Sequence, residues 1–257
     1  MRALAWILLG FTTAAYAGQT GSYPAVLRAE KAELVRSMEQ LRKQEVPPYF
    51  LSYEIVESHS ATVVSSFGAL MHSSENRHRV LRVDLRVGDY ALDNTRQVRA
   101  GPGALAYSSI AIPIEDDPAA IRSVLWYQTD RRYKRAVEEL ATARTVSQVN
   151  VEREDKSADF SAAPAEQSIA AIAPFSVNRK AWEDKVRRYT APFQRFGNLY
   201  EATAIFSANQ DTRWFASSDG SGIQASQTYY QLQITAFSKA DDGMELPRYE
   251  SFFAFTP

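Results

Sequence analysis

The sequence predicts an α+β fold: an antiparallel-rich sheet with covering helices, followed by a second strand-rich segment. Three observations lead there. Leu27, Leu34, Met38 and Leu41 recur at helical steps of seven, four and three near the start. From Leu51 onward the apolar period falls to two. After a second helical stretch opened by Asp117-Pro118, and a third from Asn178, almost everything from residue 198 to 255 alternates like strand.

Taken in order, residues 1–17 have the pattern of a secretory leader: a basic Met1-Arg2, an apolar run from Ala3 to Phe11, and Ala15-Tyr16-Ala17 as a small-x-small cleavage site. The run is too short to span a bilayer. This predicts an exported bacterial protein, periplasmic or secreted, whose mature form starts near Gly18 with no membrane contact after cleavage. Residues 25–44 form the first amphipathic helix, stopped by Pro47-Pro48. Leu51, Tyr53 and Ile55 make one strand, residues 61–71 a second, and Leu81, Val83, Leu85 and Val87 a third, joined as an antiparallel meander. His72 and His78 then fall in a polar turn spanning 71–79. Gly101-Pro102-Gly103 breaks the pattern. Asp117 caps the next helix and Pro118 fits its first position; Ile121, Leu125, Val137 and Leu140 form its apolar stripe, with Trp126, Tyr127 and Tyr133 expected to bury against the sheet. Residues 157–174 read as an extended connection, and 178–193 as a helix with Trp182, Val186 and Tyr189 on one side. Strands then cover 200–208, 212–217 and 223–238, and another begins at Tyr249; Ser217-Ser218-Asp219-Gly220 and Asp241-Asp242-Gly243 supply turns. The expected organisation is a leader (1–17), an N-terminal α/β domain (18–155), an extended connection (156–176), and a helix with antiparallel strands (177–257) cut short at its C-terminal side.

Composition excludes several function classes. Without Arg2 the chain carries 28 basic and 30 acidic side chains, scattered rather than clustered, which gives no footprint for nucleic acid. There is no cysteine, so no disulfide, no Cys-ligated metal and no lipid-modified cysteine. His59, His72 and His78 show no helical zinc spacing. No Gly-x-Ser-x-Gly elbow exists; Gly220-Ser221-Gly222 reads as a turn. Glu54 and Asp84 sit on strand positions facing away from the core and are expected to be solvated. Asp116 and Asp117 are accounted for by helix capping, and the mixed charges of 152–156 by a solvated helix end.

The stretch from Arg82 to Arg96 is the densest in polar information. An alternating strand passes through Gly88-Asp89 into Asp93-Asn94-Thr95. Short polar side chains after a strand fold back on their own backbone as an Asx turn. The same residues also suit a polar contact with another domain, subunit or peptide, so Arg86, Asp93, Asn94 and Arg96 are the candidate contact residues. Arg86 and Arg96 either hold an incoming carboxylate or pair with Asp84 and Asp89.

With Glu33-Leu34-x-Arg36-Ser37-Met38, Pro47-Pro48-Tyr49-Phe50, Ser52-Tyr53, Ser66-Phe67-Gly68-x-Leu70, Arg82-x-Asp84-x-Arg86-Val87-Gly88-Asp89-Tyr90, Asp93-Asn94-Thr95, Leu125-Trp126-x-x-Thr129-Asp130 and Tyr133-Lys134-x-Ala136, the chain resembles the N-terminal region of the TldD/PmbA family, specifically its exported relatives. The resemblance runs from about Ala32 to the C-terminus and rests on structural motifs. It implies a zinc metallopeptidase in which a His-Glu-x-x-x-His helix and a further C-terminal ligand hold the metal. That motif is absent from these 257 residues, so no metal ligand or catalytic residue carries over. Zinc is expected only in a complete family member, and none in this chain. The implied role is scaffold and substrate-cavity wall, partnered by a C-terminal catalytic domain; peptides would be substrates of the complete enzyme. Two alternatives are a non-catalytic subunit pairing with a separate catalytic homologue, and a periplasmic peptide-binding module.

Overall fold

The computed structural model describes residues 23–96, 109–149 and 157–256. The leader, the Gly101-Pro102-Gly103 break and the charge run 152–156 lie outside them. The fold is α+β: the described residues form three α-helices, one 3₁₀ turn and a seven-stranded, mostly antiparallel sheet.

Helix α1 (Ala25–Leu41) buries Leu27, Leu34 and Met38 as their spacing predicts. Strands β1 (Pro48–Ser66) and β2 (Ala69–Val87) are each 19 residues long, about 60 Å at the usual rise. Three expected strands are therefore two. Residues 61–71 are the end of β1, a two-residue turn and the start of β2. The turn is Phe67-Gly68, both at positive φ (44° and 80°), the backbone geometry whose twist suits a hairpin. Because β2 runs unbroken from Ala69, His72 and His78 lie on a strand and not in a turn.

After β3 (Ile110–Ile112), Asp117 Oδ1 accepts from the Ala119 N–H at 2.9 Å and opens α2 (Pro118–Val149). Its buried positions are Ile121, Leu125, Thr129, Ala136, Leu140 and Ala143, so Ala136 takes the place expected for Val137. Trp126 and Tyr127 sit one and two positions off that stripe and are 53% and 51% exposed, contrary to expectation. Tyr133 does pack against the core, its hydroxyl donating to the Val46 carbonyl at 3.1 Å.

In the connection, β4 (Gln167–Ile169) runs parallel to β6 (Gly222–Lys239). Asn178 caps α3 (Arg179–Thr190) through the Ala181 N–H, and a 3₁₀ turn (Ala191–Arg195) follows. Two further expected strands are again one, β5 (Leu199–Ser217). Gln210 and Asp211, which interrupt the apolar pattern, are held within the sheet: the Gln210 amide donates to the Ala173 carbonyl and the Thr228 hydroxyl, and Asp211 accepts from Ser58. Gly220 (φ +106°) turns the chain into β6 and Gly243 (φ +86°) into β7 (Glu245–Ala254).

The sheet order is β3-β2-β1-β5-β6, with β4 and β7 sharing the far edge of β6. β5 pairs with β1 from Ser217↔Ser52 to Thr203↔Ser66, so the elements on either side of the connection share one sheet. All three helices lie on one face. The Tyr53 hydroxyl meets Thr129 of α2 at 2.7 Å and Ser37 of α1 at 3.5 Å, while Ser65, on the same face of β1, meets Thr190 of α3 at 2.6 Å. Two apolar clusters result, one under α1 and α2 around Leu51, Ile55, Leu81, Leu125 and Trp214, the other under α3 around Val63, Val186 and Phe206.

Candidate functional site

The predicted contact residues converge where β2 ends. Gly88 turns at φ +104°, and a Cβ there would meet the Leu92 carbonyl oxygen at 2.5 Å. Only glycine permits the tight reversal that sets Asp93 across from Gly88. Asp93 is fully buried. Its Oδ1 accepts from the Thr95 N–H and hydroxyl at 2.7 and 2.6 Å, the Asx turn foreseen in the sequence. Its Oδ2 accepts from the Tyr49 hydroxyl at 2.6 Å and from Arg86 at 3.0 Å. Burial alone would push the Asp93 carboxyl upward; the hydrogen bonds from Thr95 and Tyr49 and then the Arg86 charge outweigh it and hold the group below the usual carboxylate range. Burial, then Asp93 itself, pushes the Tyr49 hydroxyl well above its ordinary value.

Asn94 is 4% exposed and also turned inward. Its Oδ1 accepts from the Val87 N–H at 2.9 Å, and its amide donates to the Leu85 carbonyl and to Glu139 of α2. Arg86 bridges Asp84 at 3.1 Å and Asp93 at 3.0 Å, with its guanidinium 4.1 Å from the centre of the Phe160 ring. Arg96 pairs with Asp159 at 2.8 Å, not with Asp89, and Asp159 also accepts from the Asp93 N–H at 3.0 Å. Tyr49, Tyr90 and Phe160 close over the cluster, with Tyr90 and Phe160 stacked at 18° between planes.

Asp84 Oδ1 is buried with no hydrogen-bond partner among the described residues. Burial raises the Asp84 carboxyl against the opposing pull of Arg86. The arrangement clamps the connection at Asp159 and Phe160 onto the loop after β2. The Tyr49 hydroxyl is poised to donate to the carboxylate rather than to lose its proton. Sequence reasoning brought together Arg86, Asp93, Asn94 and Arg96. It missed Asp159 and Phe160, which stood in a stretch of low periodicity with no local signal tying them to residues more than sixty positions earlier.

The other candidates disperse. His59 Nε2 lies 2.8 Å from Glu75, and His72 Nε2 lies 2.8 Å from the Ser74 hydroxyl. Glu54 is not solvated but held between Arg82 and Arg213. Asp116 is not a helix cap: it pairs at 2.7 Å with Arg79, a guanidinium 1% exposed that also grips Glu57 and lies 5.3 Å from the Trp214 ring. Among the described residues no three His, Asp or Glu side chains gather closely enough to hold a metal ion, and no helix is long and apolar enough to cross a membrane.

No family model matches the sequence, and no curated protein matches it significantly. Among solved structures the chain is similar to TldE from Thermococcus kodakarensis, with 8% identity over 88% of this chain and 43% of that one, at a TM-score of 0.46. It is also similar to two proteins described as candidate modulators of DNA gyrase. One, from Thermotoga maritima, has 11% identity over 88% and 44% of the two chains at a TM-score of 0.45. The other, from Bacteroides thetaiotaomicron, has 10% identity over 88% and 45% at 0.42. The chain spans less than half the length of each of these structures.

Proposed function

We propose that this chain is a non-catalytic, N-terminal portion of an exported TldD/PmbA-like metallopeptidase, serving as scaffold and as one wall of the cavity in which the complete enzyme hydrolyses peptides. The motifs given above suggest the family. The observation that supports a scaffold role is a row of apolar side chains that runs out from under its cover. On the helix face, Val63, Phe206, Leu232 and Phe252 stand side by side on β1, β5, β6 and β7. Val63 and Phe206 are buried beneath α3, Leu232 is partly covered, and Phe252 is 57% exposed. Leu246 on the same face of β7 is also exposed, at 42%. A core layer that continues past its covering helix calls for a further covering element, supplied on this reading by a catalytic domain. The same row fits the second reading, in which the cover is a separate catalytic subunit.

The zinc and the peptidase chemistry belong, on either reading, to that other part. Three measurements test this together. DNA downstream of codon 257 is expected to encode His-Glu-x-x-x-His in continuation; if it does not, a homologous metallopeptidase is expected to co-purify with the chain. The isolated chain is expected to hold no stoichiometric zinc after dialysis and to cleave no peptide. Tightly held zinc in the isolated chain would overturn both readings. N-terminal sequencing of the exported protein, expected to begin at Gly18, checks the leader.

A further inference from the structure

The sheet face opposite the helices carries a chemistry of its own. Three adjacent rows cross it: Asn76–Ser60–Asn209–Tyr229; Ser74–Thr62–Ser207–Gln231–Phe253; and His72–Val64–Ile205–Gln233–Ser251. In a chain of which 23% of residues are charged, these rows contain no Asp, Glu, Lys or Arg. Hydroxyls and amides fill them instead, groups that both donate and accept hydrogen bonds. The face is open: Ile205, at the middle of the sheet, is 37% exposed. At its β7 margin stand aromatic rings. Tyr229 and Phe253 are stacked with centroids 5.5 Å apart and 20° between planes, and Phe255 meets Phe253 edge-on at 5.3 Å. Phe253 and Phe255 remain 58% and 62% exposed, so the pair is preassembled yet accessible.

We propose that this face binds a neutral glycan, with the Tyr229–Phe253 pair as the stacking platform and the amides and hydroxyls of Asn209, Ser207 and Gln231 as the hydrogen-bonding field beside it. Charge complementarity selects the ligand class. A polyanion would find no Lys or Arg in these rows, and the nearest charges are Asp211 with Arg213 on one flank and Glu201 on the other. A wholly apolar partner would bury the amides and hydroxyls without partners, at a cost for each. A sugar chain satisfies both requirements, since each ring offers hydroxyls at its rim and a C–H face that packs on an aromatic ring. Preassembly of the stacked pair and the rigidity of a central sheet reduce the ordering lost on binding.

This proposal is independent of the peptidase reading, which concerns the opposite face of β6 and β7. The test is calorimetric titration of the full chain with cellohexaose and with chitohexaose, with heparin as the polyanionic control. Saturable binding of a neutral hexaose is expected, weakened about tenfold by Phe253→Ala and largely retained by Tyr229→Phe. Circular dichroism should show Phe253→Ala melting as the parent does, because the ring is exposed. Failure of both hexaoses to bind, equal affinity of the parent and Phe253→Ala, or heparin binding as tightly as cellohexaose would each overturn the proposal. So would a dimer, seen by light scattering, that dissociates on Phe253→Ala: the face would then be an interface between copies.

Discussion

Asp93 shows how a residue with the look of an active-site acid is spent on structure. Four donor groups converge on its carboxylate, two from Thr95 and one each from Tyr49 and Arg86. Its folded-state pKa lies below the unfolded value of about 3.9, so its stabilisation is complete above that value and is lost as the pH falls through the folded pKa. Asp93→Asn should destabilise the protein by about 2–3 kcal/mol at neutral pH, because an amide NH₂ would face the Tyr49 hydroxyl or Arg86. The difference should shrink toward pH 3. Urea denaturation at the two pH values checks this; a pH-independent difference would show that the charge of Asp93 contributes nothing. Glu30 has the opposite sign. It is fully buried in α1, both carboxyl oxygens lack a hydrogen-bond partner, and burial, then the Glu54 charge, raises its pKa well above the ordinary value. A raised carboxyl favours the fold fully below its unfolded pKa of about 4.3 and costs about 1.4 kcal/mol for each pH unit above it, up to the folded pKa. Glu30→Gln, neutral and of the same shape, should therefore become progressively more stable than the parent as the pH rises from 4, and equal to it below. Parallel stability profiles of the two proteins would refute a buried, protonated Glu30.

At the scale of elements, the parts legible in the sequence are those whose signals are local. The apolar spacing of α1, the Asp117-Pro118 start of α2, the Asn178 cap of α3 and the two glycine turns at 220 and 243 all lie within a few residues of what they specify. The long strands were not legible as single elements because strands average only about 5–6 residues and polar interruptions ordinarily end them. Here Ser58, Asp211 and Gln210 are satisfied by partners across the sheet or in the connection, information that no local window contains. The contact cluster divides in the same way: the Asx turn at Asp93 is local, whereas Asp159 and Phe160 reach it from the far side of α2. α3, whose outer surface is polar, docks through Trp182 together with the fully buried Val186. Trp182 stacks on Phe206 at 3.7 Å between centroids and 9° between planes, closing the second cluster beside Val63 and Val186. Trp182→Ala should cost about 2–3 kcal/mol, less than a fully buried tryptophan because one side of the ring is open to Lys185. It should also raise amide exchange across 179–190 while leaving α1 protected. Unchanged exchange in α3 would mean that its docking rests on the Ser65–Thr190 contact instead.

For the molecule as a whole, β1 is the keel. It pairs with β2 along one edge and with β5 along the other, and so joins the stretch before the connection to the stretch after it. Trp214 and Ala216, on β5, belong to the apolar cluster under α1 and α2. Trp214 also lies against Arg79, whose guanidinium is 1% exposed. The Leu51 N–H donates to the Ser218 hydroxyl at 3.0 Å, and the Leu51 carbonyl accepts from the Ser218 N–H at 2.8 Å, fastening the start of β1 to the turn beyond β5. A chain cut within 156–176 would therefore lose much more than a linker. Residues 18–155 alone would present β1 as a bare edge about 60 Å long, with Leu51, Tyr53 and Ile55 losing the Trp214 side of their packing, and such an edge is a template for aggregation. Residues 177–257 alone would keep β5, β6 and β7, but α3 would lose its contacts with β1 and β2, including Ser65–Thr190 and Ser73–Glu183. Expressed separately, both fragments should be insoluble or lack a cooperative melting transition; co-expressed with the intervening residues on either one, they should assemble into a soluble complex that melts cooperatively. Circular dichroism and size-exclusion chromatography distinguish the outcomes. A soluble, cooperatively melting 18–155 would show that the first helices and the β1–β2 hairpin form a unit of their own, and that the pairing of β1 with β5 joins two domains rather than completing one.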